Sequence, residues 1–256
     1  MRRKLLVTMS GFAVALVSVP LFAAFEAHVI NVTAKIENAL FVHPEALEFG
    51  TVFPQEHLDS QIFIGFSESF SERTQRRVGE VDYVIKQKPK PRPSFEASAG
   101  TPTAREWCHD NFVDIQPTTA LEATTTQAYL KNCYPSLCPY LSKHPDNAPA
   151  PGNDSTVAAF HDPNDPVNYF HGKLLKFNSS GSTINNDPAD VVTIDLAVPC
   201  FKGACAQDWA AFVHGQNPAA DPAAYQLHPG LEHEVFGCDL WVEVTGFGPT
   251  STQPVF

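Results

Sequence analysis

Five short runs of this chain, at 30–37, 61–67, 81–87, 191–198 and 238–245, alternate apolar and polar residues with period two, three near the start and two near the end. That period sends successive side chains to opposite faces, so each run reads as a half-buried β-strand. In the first run Ile30, Val32, Ala34 and Ile36 share one face against Asn31, Thr33, Lys35 and Glu37. Ile62, Ile64 and Phe66 form the apolar face of the second, and Val81, Tyr83 and Ile85 that of the third. Val192, Ile194, Leu196 and Val198 follow, and in the last run Leu240, Val242 and Val244 oppose Asp239, Trp241, Glu243 and Thr245. Between the first two runs Gly50 and Pro54 punctuate turns around Phe49 and Phe53. Strands at both ends of a chain must pair late with early, as in Greek keys and jelly rolls. The expected fold is therefore mainly β, a two-sheet β-sandwich, with one short helix at 208–215 where Trp209, Phe212 and Val213 take helical spacing.

The middle of the chain lacks that order. After Gln87 the stretch KPKPRPS sets prolines in alternation, which ends a strand because proline donates nothing to a ladder. Residues 95–180 then show little periodicity and read as a long irregular insertion held by disulfides instead of by a core of its own. The six cysteines are Cys108, Cys133, Cys138, Cys200, Cys205 and Cys238, an even number. Spacing fixes no pairing. A Cys200–Cys205 clasp across FKGA, with Cys138–Cys238 and Cys108–Cys133 tying the middle to the core, is the expected arrangement. A zinc site is the alternative, but no Cys-x-x-Cys pair occurs.

Disulfides belong to oxidising compartments, and the N-terminus agrees. Arg2, Arg3 and Lys4 precede a largely apolar stretch at 5–24, so residues 1–24 read as an export signal ending at Ala23 or Ala24. An uncleaved segment anchoring the chain in a membrane is the alternative. Residues 25–256 are then expected to form a single domain, since a chain of 256 residues with 43% hydrophobic content suffices for one core. A net charge of −11 disfavours nucleic acid as a partner, because phosphate binding needs clustered Lys and Arg.

Candidates for chemistry are few. The chain has no His-Glu-x-x-His, and Glu232-His233-Glu234 lacks the second histidine at helical spacing. His161, Asp162, Asp165 and His171 form the best cluster of oxygen and nitrogen donors, but they read as a polar, proline-broken loop. Ser179, Ser180 and Ser182 sit in a turn-like NSSGST without a nucleophile elbow. Trp107, Trp209 and Trp241 are candidate glycan platforms, with core packing as the alternative for each. Asn31, Asn153 and Asn178 head short Asn-x-Ser/Thr triplets. No catalytic residue, metal ligand or cofactor is expected.

The order AFEAHVINVTAKIENA, FVHPEALEFGTVFPQEHLDSQIFIGFSESF, VDYVIKQKPKPRP, VPCFKGACAQDWAAFVHG and FGCDLWVEVTGF resembles a family of uncharacterised exported proteins of candidate-phyla bacteria. More distantly, residues 25–70, with LEFGTVFPQE, resemble the TasA and camelysin group of exported proteins. That resemblance implies a jelly-roll-like sandwich and a subunit that builds fibres by donating its N-terminal strand, here carrying Ile30, Val32, Ala34 and Ile36. The expected function is a structural or adhesive role at the cell surface or outside the cell, with a second copy or another envelope component as partner. A glycan- or protein-binding module is one alternative, and a camelysin-like metal-dependent peptidase is another.

Overall fold

The computed structural model describes residues 37–71, 78–145, 155–176 and 187–248. Seven strands form two antiparallel sheets. They are β1 (Leu40–His43), β2 (His57–Phe66), β3 (Glu80–Lys88), β4 (Leu141–His144), β5 (Phe170–Leu175), β6 (Ala189–Ala197) and β7 (Asp239–Gly248). One sheet has the order β1-β2-β6-β4, the other β5-β3-β7. Late strands pair with early ones, β6 with β2 and β7 with β3. The alternation explains the layering. Ile62, Ile64 and Phe66 of β2 and Val192, Ile194 and Leu196 of β6 enter the same buried cluster as Val81, Tyr83 and Ile85 of β3. A sandwich-like arrangement with one shared core results.

The middle segment departs from the expected irregular insertion in two ways. It supplies an edge strand to each sheet, β4 beside β6 and β5 beside β3. It also holds three helices, α2 (Pro93–Ala99), α3 (Thr101–Asp110) and α4 (Thr124–Asn132), where one short helix was expected in the whole chain. A one-turn helix, α1 (Glu68–Ser71), follows β2. Pro93 and Pro102 occupy the first turns of α2 and α3, where a missing N–H costs no hydrogen bond, so proline starts these helices and does not break them. Cys108, Cys133 and Tyr129 form a small core with Phe95, Trp107, Phe112, Val113, Ile115 and Leu130 around them. The segment thus has an apolar core of its own, and the disulfide lies inside it.

The expected helix near 208–215 is α5 (Trp209–Gln216). Its Trp209 and Val213, one turn apart, are buried in the shared core, and the helix runs through Gly215 to Gln216. Trp209, Phe212 and Tyr225 surround Phe160 in edge-to-face contacts with centroids 5.6–6.0 Å apart.

Candidate functional site

The disulfides are Cys108–Cys133, Cys138–Cys238 and Cys200–Cys205, the same three pairs set out above. They join α3 to the end of α4, the turn before β4 to the residue before β7, and the two ends of the FKGA clasp. Three such bonds mark a chain of an oxidising compartment. Among the described residues no helix is long and apolar enough to cross a membrane.

The loop cluster of possible metal ligands is taken apart by the fold. His161 turns inward and is buried, whereas Asp162 accepts from the Asn164 N–H and Asp165 from the Val167 N–H as turn caps. His171 is exposed on β5. Glu234 pairs with Arg92 at 3.1 Å, and His233 adopts φ 69°. Of the tryptophans, Trp209 is buried and donates from Nε1 to the Pro222 carbonyl at 2.8 Å, and Trp107 packs edge-on against Phe95. Trp241 faces outward, but Lys88 Nζ sits 3.5 Å from its ring centroid and the Arg105 guanidinium 5.8 Å away, so cations cover the platform. Ile30, Val32, Ala34, Ile36, Ser179, Ser180, Ser182, Asn31, Asn153 and Asn178 lie outside the described residues.

What stands out in their place is the free side of β7. It pairs with β3 along its length, and no described strand pairs with its other side. Directly opposed residues of an antiparallel pair point to the same face. Val244 opposes Tyr83 and Phe247 opposes Val81, and both partners belong to the core. Yet Val244 is 44% exposed and Phe247 75%. The register shift opposite Asp82 and Tyr83 leaves Thr245 as an extra residue on β7, which swings Phe247 to the core-facing side. Simple alternation continued past Thr245 would put Phe247 on the outer face, which is why the run at 238–245 did not reveal it. Among the described residues the sandwich is open along this edge, with two apolar side chains at its mouth.

A second apolar feature lies on the outer face of the four-stranded sheet. Phe41 and Phe63 meet edge-on at 6.5 Å, and His43 stacks on Phe41 at 6.3 Å. Both phenylalanines are exposed, and β1 is an edge strand among the described residues.

The third feature is a buried polar cluster between the sheets. Lys143 opposes Ile194, so its side chain enters the core, where it is fully buried. Its Nζ donates to Gln87 Oε1 at 2.9 Å. His161 Nε2 lies 2.7 Å from the same oxygen and its Nδ1 2.7 Å from the Ala158 carbonyl. Gln87 Nε2 donates to the Cys138 carbonyl at 2.7 Å, which fixes the orientation of the amide. Burial pulls the Lys143 pKa down to about 7. Burial first, and then Lys143, pull His161 down to about 4. Opposing this, the Ala158 carbonyl at Nδ1 and then the charge of Asp162 favour the protonated ring.

No protein-family model matches this chain, and no curated protein matches it.

Proposed function

We propose that this is an exported structural or adhesive protein of the cell surface or extracellular space, a fibre subunit whose copies join by strand addition. The observation that carries this reading is the pair Val244 and Phe247, apolar, core-facing and exposed beside a free strand edge. A donated strand satisfies such an edge twice: its main chain hydrogen-bonds the free N–H and C=O groups of β7, and its apolar face covers the open mouth. The run at 30–37 has the required pattern, with Ile30, Val32, Ala34 and Ile36 on one side. Its eight residues can span most of the ten of β7. Donation from one copy to the next is a head-to-tail contact, and such contacts propagate into filaments. The resemblance of residues 25–70 to TasA supports the same reading. No catalytic step is assigned to the chain.

Electron microscopy of the chain beginning at Phe25, beside a truncation beginning at Ala39, tests the proposal. Filaments from the first and none from a truncation that keeps its β circular-dichroism spectrum are expected. Monomers from both overturn strand donation. The exposed Phe41 and Phe63 then favour the second reading, a module that docks on an envelope partner through the outer face of its four-stranded sheet.

A further inference from the structure

Gln87 is engaged at both ends of its carboxamide. The oxygen receives Lys143 Nζ at 2.9 Å and faces His161 Nε2 at 2.7 Å, while the nitrogen donates to the Cys138 carbonyl at 2.7 Å. Among the described residues no carboxylate is a hydrogen-bond or ion-pair partner of Lys143, so its ammonium form would be a buried charge without a counter-ion there, which is costly. The free amine is the form this environment favours, and a free amine is a nucleophile. The carbonyl carbon of Gln87 is one C=O bond, about 1.2 Å, from the oxygen that Lys143 touches, so it lies within about 4 Å of Nζ. Attack requires the amine to turn, about the last torsions of Lys143, from donating to the oxygen toward facing the carbon.

We infer that Lys143 and Gln87 form an intramolecular isopeptide bond across the two sheets. The Nζ lone pair attacks Cδ of Gln87, forming the new C–N bond as the π pair of the carbonyl moves onto Oε1. His161 Nε2, 2.7 Å from Oε1, holds the charge that develops there in the tautomer that carries the ring proton on Nε2, the role of an oxyanion donor. The intermediate collapses by restoring the carbonyl and breaking the bond from Cδ to Nε2. The departing nitrogen takes a proton given up by the attacking one and leaves as ammonia. An amine and a primary amide become a secondary amide and ammonia, with no oxidant, cofactor or energy source. The bond ties β3 of one sheet to β4 of the other, beside the Cys138–Cys238 bridge that joins the turn before β4 to the residue before β7. It stands independently of strand donation.

Intact-mass measurement of the purified, reduced and denatured full chain decides the matter. The expected mass is lower than that of the sequence by one ammonia, and tandem fragmentation is expected to give a branched peptide joining residues 87 and 143. Lys143→Arg and Gln87→Ala are each expected to restore the unmodified mass. A wild-type chain at its unmodified mass, an ammonia loss mapped elsewhere, or a loss that persists in either variant overturns the inference. Because the wild-type result is decisive alone, a variant that fails to fold does not blunt the test.

Discussion

Tyr83 and Tyr129 are both fully buried phenols, and their hydroxyls meet opposite fates. Tyr83 donates to Asp190 Oδ2 at 2.5 Å inside the core, whereas the Tyr129 hydroxyl has no hydrogen-bond partner among the described residues. Burial, and secondarily Asp114, push the Tyr129 pKa well up. Removing an unsatisfied hydroxyl relieves a desolvation cost, while removing a donor from a buried carboxylate imposes one. Tyr129→Phe is therefore expected to leave stability unchanged or raise it by about 1 kcal/mol, and Tyr83→Phe to lower it by about 2 kcal/mol, in urea melts. Gly172 opposes Tyr83, and a Cβ there would intrude on the phenol ring, so Gly172→Ala is expected to cost about 2 kcal/mol through overpacking. His161 gives the pH dependence. Its pKa in the folded chain, about 4, lies below the ordinary value of 6.5, so between those limits the unfolded chain binds more protons. Its contribution is fully present above about pH 6.5 and is lost as pH falls toward 4, by about 3 kcal/mol in total. Comparing His161→Gln with the wild type in urea melts across this window should show a shallower slope for the variant.

At the scale of elements, legibility followed alternation. The strands β2, β3, β6 and β7 were all readable because Ile, Val, Leu and Phe mark one face of each against polar residues on the other. The strand β4 was not, since LSKH is four residues long and sends a lysine into the core. Nor was β5, whose inward row of Phe170, Gly172 and Leu174 is broken by a glycine that makes room for Tyr83. Prolines in KPKPRPS correctly ended β3, but the same residue type in the first turns of α2 and α3 looked like continued irregularity. Of the sites, the cysteines were legible as bridges, whereas the apolar mouth at Val244 and Phe247 depended on a bulge that shifts the phase of β7. The Lys143 cluster depended on three elements distant in sequence meeting at Gln87. The disulfides also differ in what they do for these elements. Chain-entropy arguments scale with the loop closed, so removing Cys138–Cys238, separated by 100 residues, is expected to cost about 5 kcal/mol. Cys108–Cys133, separated by 25, should cost about 3.5, and Cys200–Cys205, separated by 5, about 2. Paired Cys→Ser variants compared by chemical denaturation check that order.

At the scale of the whole molecule, the described residues of the two sheets close their core at β2, β3 and β6 and leave it open beside β7. Free edges invite pairing, and proteins commonly blunt them with charge or a covering segment. Residues Asp239 and Trp241 at the start of β7 are flanked in this way by Arg105, 3.2 Å from Asp239, and Glu243 pairs with Lys86 and Lys88, but Val244 and Phe247 themselves stay exposed. A lysine in place of Phe247 would put a charge on the apolar, core-facing side of the mouth. Phe247→Lys is accordingly expected to abolish assembly in light scattering while leaving the monomer folded. The negative charge of the chain makes non-specific clumping an unfavourable route to large particles, so assembly should depend on this edge. The most direct test is hydrogen exchange on the truncation beginning at Ala39, with and without a synthetic peptide of residues 25–38. Strand addition predicts that the peptide slows exchange at amides of β7 that β3 leaves free, and that Phe247→Lys removes the protection. Unchanged exchange along β7 at saturating peptide, or protection confined to another edge, would contradict it.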